Sequence, residues 1–322
     1  MSKTTDAKIN ALSDIVAREQ GEAVTSALRK ALKDRSNFLV GKAATWCQET
    51  LSYDLINDLH IAYERFMRNP LKTDKTCAAK RSIATALYEL DYDNTDFYRS
   101  AISYQQIEPV YGGHVNTSID VRCVSALGLM AHGSADDLFY ILELLHDSEA
   151  QARIGALKAI ALAQPFHAEL ILRQKIISGD PASEVVNEAF NRLMHVGAER
   201  SLDFVAKYLH EDDVQAQAAA WALGESKLED ALTILIEASE QTLISLDNET
   251  TFLQAIALLR SQKAIDYLLL QVEEAPSRRR CQAIKALSFY NHDTELKSKI
   301  AERIENINDK NVHNTFSETW LD

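Results

Sequence analysis

Glycine occurs 10 times and proline 5 times in 322 residues, well under the roughly 7% and 5% usual in globular chains. Tight turns draw on both residues for their special backbone angles, so this scarcity excludes a strand-rich fold, and no strand is predicted. Long apolar runs are missing too: no window approaches the roughly 18 uninterrupted apolar residues of a membrane span. The opening "MSKTTDAKINALSDIVAREQ" lacks the apolar core of a secretory leader. Together these absences predict a soluble, cytoplasmic protein without membrane insertion. The four cysteines, Cys47, Cys77, Cys123 and Cys281, lie far apart with no CxxC pair. That signals neither a zinc knuckle nor a disulfide framework, and they read as small core residues. GxxxxGK[ST], GxGxxG, HExxH and GxSxG do not occur, which removes the usual support for phosphate-loop, dinucleotide, zinc-protease and serine-hydrolase chemistry. No cofactor, metal or catalytic residue is expected.

What is present is a folded composition, 46% hydrophobic and 25% charged, with an acidic excess of 47 carboxylates over 34 basic side chains and a net charge of −13. Such a charge repels polyphosphate backbones and argues against nucleic acid as a partner. The one compact basic run, Arg278-Arg279-Arg280, opens a predicted helix and reads as a solvated turn rather than a phosphate clamp.

Six alanine-rich helical segments align without gaps: "VRCVSALGLMAHG" from Val121, "ARIGALKAIALAQ" from Ala152, "VVNEAFNRLMHVG" from Val185, "QAQAAAWALGESK" from Gln215, "TTFLQAIALLRSQ" from Thr250 and "RRCQAIKALSFYN" from Arg279. Their second residues, Arg122, Arg153, Val186, Ala216, Thr251 and Arg280, recur about every 32 residues, enough for two helices per unit. Three residues after the marker stand Ser125, Ala156, Ala189, Ala219 and Ala283; six after stand Gly128, Ala159, Ala222, Ala257 and Ala286. Small residues at that spacing share one helix face and let backbones approach closely. The next position is large and apolar: Leu129, Ile160, Leu193, Leu223, Leu258 and Leu287. Between these helices lie amphipathic partners at 135–147, 198–212, 228–240 and 263–274, and acidic turns at Asp147, Asp180 and Asp212-Asp213 fall just before the small-residue helices. Ser134 with Asp137 reads as a capping box, and Asp180-Pro181 as a cap followed by proline at the first helical position.

An acidic turn, a Val-Arg pair, small residues three and six on, then Leu and Gly: over residues 118–322 this pattern resembles the HEAT-like repeat family in its short bacterial, phycobilin-lyase-type form. The resemblance implies an all-α, right-handed α-α superhelix, a HEAT-like repeat solenoid. It implies little about activity, since the family holds scaffolds, adaptors and a few enzymes. The expected organisation is a divergent N-terminal helical cap over residues 1–104, an inserted loop at 105–118, and regular repeats over 119–322. Trp320 is expected to close the stack in a capping helix, with an exposed docking peptide as the other reading.

The insertion, "QQIEPVYGGHVNTSID", carries a proline and two adjacent glycines between helical segments. Pro109 disfavours helix at Glu108, and Gly112-Gly113 permits a reversal. Tyr104, Glu108, Tyr111 and His114 would then be displayed near one another. Two readings stay open: a longer joint with Tyr111 plugging a gap, or a binding loop on one face of the array. Arg122 and Arg153, one repeat apart, read as a ladder bracing acidic turns, with ligand binding as the other option. His210-Glu211 beside Asp212-Asp213 reads as an acidic turn; a di-iron site of the deoxyhypusine hydroxylase kind needs several such pairs. Trp221 reads as core packing. The function expected is a non-enzymatic scaffold, adaptor or assembly factor for a protein partner, a basic one suiting an acidic groove. The alternative is a small-ligand or bilin lyase-type chaperone.

Overall fold

The computed structural model describes residues 3–211, 214–241 and 245–320, and the acidic pair Asp212-Asp213 lies outside them. Within the described residues the chain is all-α apart from one two-stranded hairpin. Two compact units divide it, Met1–Ala163 and Gln164–Asp322.

The first unit runs α1 (Lys3–Arg18), α2 (Glu22–Leu32), α3 (Asn37–Glu49), α4 (Ile56–Met67), the single turn α5 (Pro70–Thr73), α6 (Ala78–Glu89) and α7 (Thr95–Ile102). Strands β1 (Ile107–Val110) and β2 (Gly113–Asn116) follow, then α8 (Ile119–His132), α9 (Leu138–Leu145) and α10 (Ala150–Ile160). Helices α3, α6, α8 and α10 pack successively as one layer, and α2, α4, α7 and α9 pair with them from the other side. This is the HEAT-like arrangement of stacked helix pairs, in which no pair buries its apolar faces alone.

The second unit repeats that arrangement with α11 (Pro165–Ser178), α12 (Ser183–Ala206), α13 (Val214–Ser226), α14 (Glu229–Ser239), α15 (Leu246–Leu258), α16 (Gln262–Glu274), α17 (Ser277–Leu287), α18 (Thr294–Ile304) and α19 (Lys310–Thr319). Helix α12 is two repeat helices run together, with a break at Gly197 (φ −159°, ψ 64°). Its first half, α13, α15, α17 and α19 form the small-residue layer.

The repeat pattern explains the packing. Ser125, Ala156, Ala189, Ala219 and Ala283 are buried, as are Leu129, Ile160, Leu193, Leu223 and Leu287; Leu258 is half-exposed, and Leu259 is buried beside it. A Cβ on Gly128 would lie 2.4 Å from the Tyr98 ring, and one on Gly224 would lie 2.5 Å from the Ala255 carbonyl oxygen. These are contacts that only glycine permits, and they set the helix spacing.

Two start signals fare differently. Ser134 and Asp137 form the expected capping box, and Asp137 also receives both Nε (2.7 Å) and a terminal nitrogen (3.1 Å) of Arg99. Asp180 does not cap α12: its carboxylate accepts the Ala182 N–H at 2.9 Å and pairs with Lys175 at 2.7 Å, and α12 starts only at Ser183. The lysine holds the aspartate in a tight turn outside the helix. Trp320 is buried, stacked on Phe316, and donates its indole N–H to the Ile284 carbonyl at 3.3 Å. The indole therefore packs inward against α17 rather than standing exposed.

Candidate functional site

The insertion is a β-hairpin, where the sequence reading has no strand. Ile107 pairs with Asn116, Glu108 with Val115, Pro109 with His114 and Val110 with Gly113, leaving Tyr111 and Gly112 as a two-residue turn. Gly112 takes the left-handed φ of +88° that the third residue of a type II turn requires. Proline is tolerated in β1 because that strand has a neighbour on one side only.

Alternation along the strands sorts the candidate residues. Paired residues share a face and neighbours in sequence take opposite faces, so Glu108 and His114 point apart. Glu108 turns toward the base of the hairpin. Its Oε1 accepts from the Thr76 N–H (2.7 Å), the Gln106 side-chain amide (2.7 Å) and the Thr117 hydroxyl (2.8 Å). Burial raises the carboxyl pKa, but these donors and the nearby Lys80 ammonium outweigh it and hold it below the ordinary glutamate value. Buried Gln106 links this carboxylate to the fold, donating to the Asp74 carbonyl at 2.8 Å and accepting from the Tyr104 hydroxyl at 2.7 Å.

Beneath lies an unusual turn. Thr76 and Cys77 both take left-handed backbone (φ 59° and 54°), a costly conformation for residues with side chains. It folds Asp74 back over the start of α6, where its carboxylate accepts the Ala79 N–H (2.8 Å) and Lys80 N–H (3.0 Å). The Lys80 ammonium lies 3.0 Å from Asp74 and 5.6 Å from the centre of the Tyr104 ring, both charged side chains being wholly buried. The fold therefore brings Tyr104 and Glu108 into one rigid base and separates them from Tyr111 and His114. Burial pushes the Cys77 thiol, like that of Cys47, up to about 12, which leaves no thiolate for chemistry at neutral pH.

Tyr111 stands fully exposed at the tip and fills no gap; Val110 (50%), Ile107 (45%) and Val115 (42%) are also open. His114 lines a small cleft of about 160 Å³ with Ile107, Asn116 and the turn residues Asp147, Ser148 and Glu149. That turn is held from below. Arg122 pairs with Asp147 at 2.6 Å and donates to the Ile102 carbonyl at 3.0 Å, while Arg153 donates to the carbonyls of Asp147 (2.9 Å) and Ser148 (3.0 Å). Both arginines are buried, braces rather than exposed ligand groups.

In the arginine run, which lies in the first turn of α17, Arg278 is exposed and Arg279 is not. Arg279 donates to Gln271 Oε1, the Ser239 carbonyl and hydroxyl, Tyr267 and Glu249, and Arg278 pairs with the same buried Glu249. These interactions use the planar fork of Arg279 in full.

A second feature was not legible as a site. Trp221, read from the sequence as core, is half-buried and lines a groove of about 360 Å³ with Glu184, Asn187, Glu188, Asn191 and Glu225. Glu184, Asn187, Glu188 and Asn191 fall at i, i+3, i+4 and i+7 on α12, and Ala218, Trp221, Ala222 and Glu225 repeat that spacing on α13, so a polar stripe and a mostly apolar one that ends in a glutamate face one channel. Those two interleaved sets were the available sequence signal.

Among the described residues no group of three or more His, Cys, Asp or Glu side chains is placed to hold a metal ion, and exposed His210 instead meets Gln241 at 3.0 Å. No described helix is long and apolar enough to cross a membrane.

No family model and no curated protein matches the chain. Among solved structures it is similar to Kap121p bound to Pho4p (TM-score 0.48, 14% identity, 99% of this chain and 40% of that chain). A similar likeness holds for the karyopherin Kap121p bound to the SUMO protease Ulp1p (TM-score 0.49, 14% identity, 99% and 40%). Human deoxyhypusine hydroxylase in complex with glycerol is also similar (TM-score 0.27, 14% identity, 90% and 98%). The chain spans 40% of the length of these Kap121p chains.

Proposed function

We propose that the chain is a non-enzymatic protein-binding scaffold or adaptor, and that the 107–116 hairpin is one of its contact surfaces. The observation that carries this reading is the contrast within the hairpin. Its base is tied down by three hydrogen bonds to Glu108, while Tyr111 at its tip is wholly exposed, with Val110 and Ile107 open beside it. A rigid apolar finger offers a large aromatic contact at low entropic cost on binding. An insertion that served only as a joint would have no need of such a tip. In the proposed binding surface Tyr111, Gly112, Gly113 and His114 make contact or form the turn, Tyr104 and Glu108 hold its base, and Arg122 and Arg153 brace the Asp147–Ser148 turn beside His114.

The test is affinity capture from host lysate with wild type and a Val110→Ser/Tyr111→Ala variant. Both residues are exposed, so the variant is expected to match the wild type in helical circular dichroism and melting temperature while losing the captured partner. Retention of the same partner by both proteins would sink the assignment of the hairpin.

A further inference from the structure

The α12/α13 groove holds the half-exposed Trp221, whereas Trp46 and Trp320 are buried. An indole face is the strongest aromatic site for a cation, and Trp46 already has one, with Lys42 Nζ 5.0 Å from its ring centre. Among the described residues Trp221 has no such neighbour. Around it the carboxylates differ in state. Glu188 is neutralised by Arg192 at 2.7 Å, and Glu225 accepts the side-chain amide of Asn191. Glu184 and Glu225 form no ion pair among the described residues, and both are exposed.

A second cleft of about 480 Å³ shares Asn191, Ala222 and Glu225 with the first but is also lined by Arg192 and His195, so the acidic part of the channel is the end that holds Glu184 and Trp221. Asn187 and Asn191, four residues apart on α12, are displaced by about 6 Å along the helix axis. That is close to the roughly 6.6 Å between alternate residues of an extended chain, and amide side chains can both donate to and accept from a peptide backbone. The excess of acidic over basic side chains in this sequence lies mostly in residues 164–322, the unit that holds the channel.

We infer that this channel binds an extended basic segment of a partner protein, with a lysine or arginine head over the Trp221 indole and between the carboxylates of Glu184 and Glu225. The inference rests on the protein-binding reading above and gives the partner a chemistry: positive charge on alternate residues of a strand-like segment.

The experiment titrates the full-length chain against a fluorescein-labelled eight-residue peptide of alternating Lys and Ser, read by anisotropy at about 50 and 200 mM NaCl. The wild type is expected to bind. Trp221→Ala is expected to weaken binding about 5- to 30-fold, Trp221→Phe less, and Glu184→Gln/Glu225→Gln is expected to weaken it and flatten its salt dependence. Because Trp221 is the half-exposed tryptophan, acrylamide quenching of intrinsic fluorescence is expected to fall when the peptide is added. Three results would overturn the inference: no binding at low salt, equal binding by Trp221→Ala (which would assign the attraction to the general acidic field), or displacement by spermidine as effective as by unlabelled peptide. None of these touches the hairpin. Conversely, the Val110→Ser/Tyr111→Ala variant is expected to lose its lysate partner and leave this titration unchanged, so the two readings fail separately.

Discussion

Glu108 shows how one side chain can decide the form of a segment. Strand alternation turns it away from His114, and a single oxygen of its carboxylate receives three donors. Replacing it with alanine strands those donors, and the expected cost is about 2–3 kcal/mol, measurable as a shift in the urea midpoint together with faster amide exchange over 105–118. The pH dependence has a fixed sign. The folded-state pKa is held below the ordinary value, so the contribution is complete above about pH 5 and is lost as pH falls through the folded value. Glu108→Gln is expected to flatten that part of the stability profile. None of this could be read from the chain, because the donors Thr76, Gln106 and Thr117 are brought to Glu108 by the left-handed turn at Thr76 and Cys77 and by the pairing of β1 with β2.

Elements were more legible than residues, for a reason that the repeat helices make plain. Glycine and alanine at three- and six-residue intervals write close helix packing directly into the sequence, and Gly128, Ala159, Ala222, Ala257 and Ala286 are all buried where that spacing puts them. The contact at Gly224 yields a sharp test. A Cβ there meets backbone atoms of Ala255 at 2.5 and 2.9 Å, which cannot rotate away, so Gly224→Ala must part α13 from α15. The expected loss is about 1–3 kcal/mol in chemical denaturation, against no measurable change for Gly113→Ala, whose Cβ would meet nothing within 4 Å. The hairpin escaped the same reasoning because its strands are four residues each, one holding Pro109 and the other Gly113, too short and too interrupted for a period of two to show. Trp221 escaped it because "QAQAAAWALG" is alanine on nearly every side, and a helix without contrast between faces does not reveal which of them stays open.

At the scale of the whole chain, charge matters most. A net −13 with a sequence pI near 5.2 means that like charges repel across the folded surface at neutral pH. Raising NaCl from about 20 to about 200 mM shortens the screening length from roughly 20 Å to roughly 7 Å. The melting temperature is therefore expected to rise by about 2–4 °C, and a fall in differential scanning calorimetry would show that favourable ion pairs such as Arg122–Asp147 and Arg279–Glu249 outweigh the repulsion instead. The buried braces and the open surfaces answer to different pressures. At the hairpin that separation is nearly complete, since Glu108 and Gln106 secure the base while the turn at Tyr111 and Gly112 makes no packing contact that the fold depends on. Substitutions at Val110 and Tyr111 can then change what is recognised without being filtered by what must fold, which makes this tip a place where descendants of one scaffold can acquire new partners, and where a designer can graft a foreign recognition sequence onto an otherwise untouched chain.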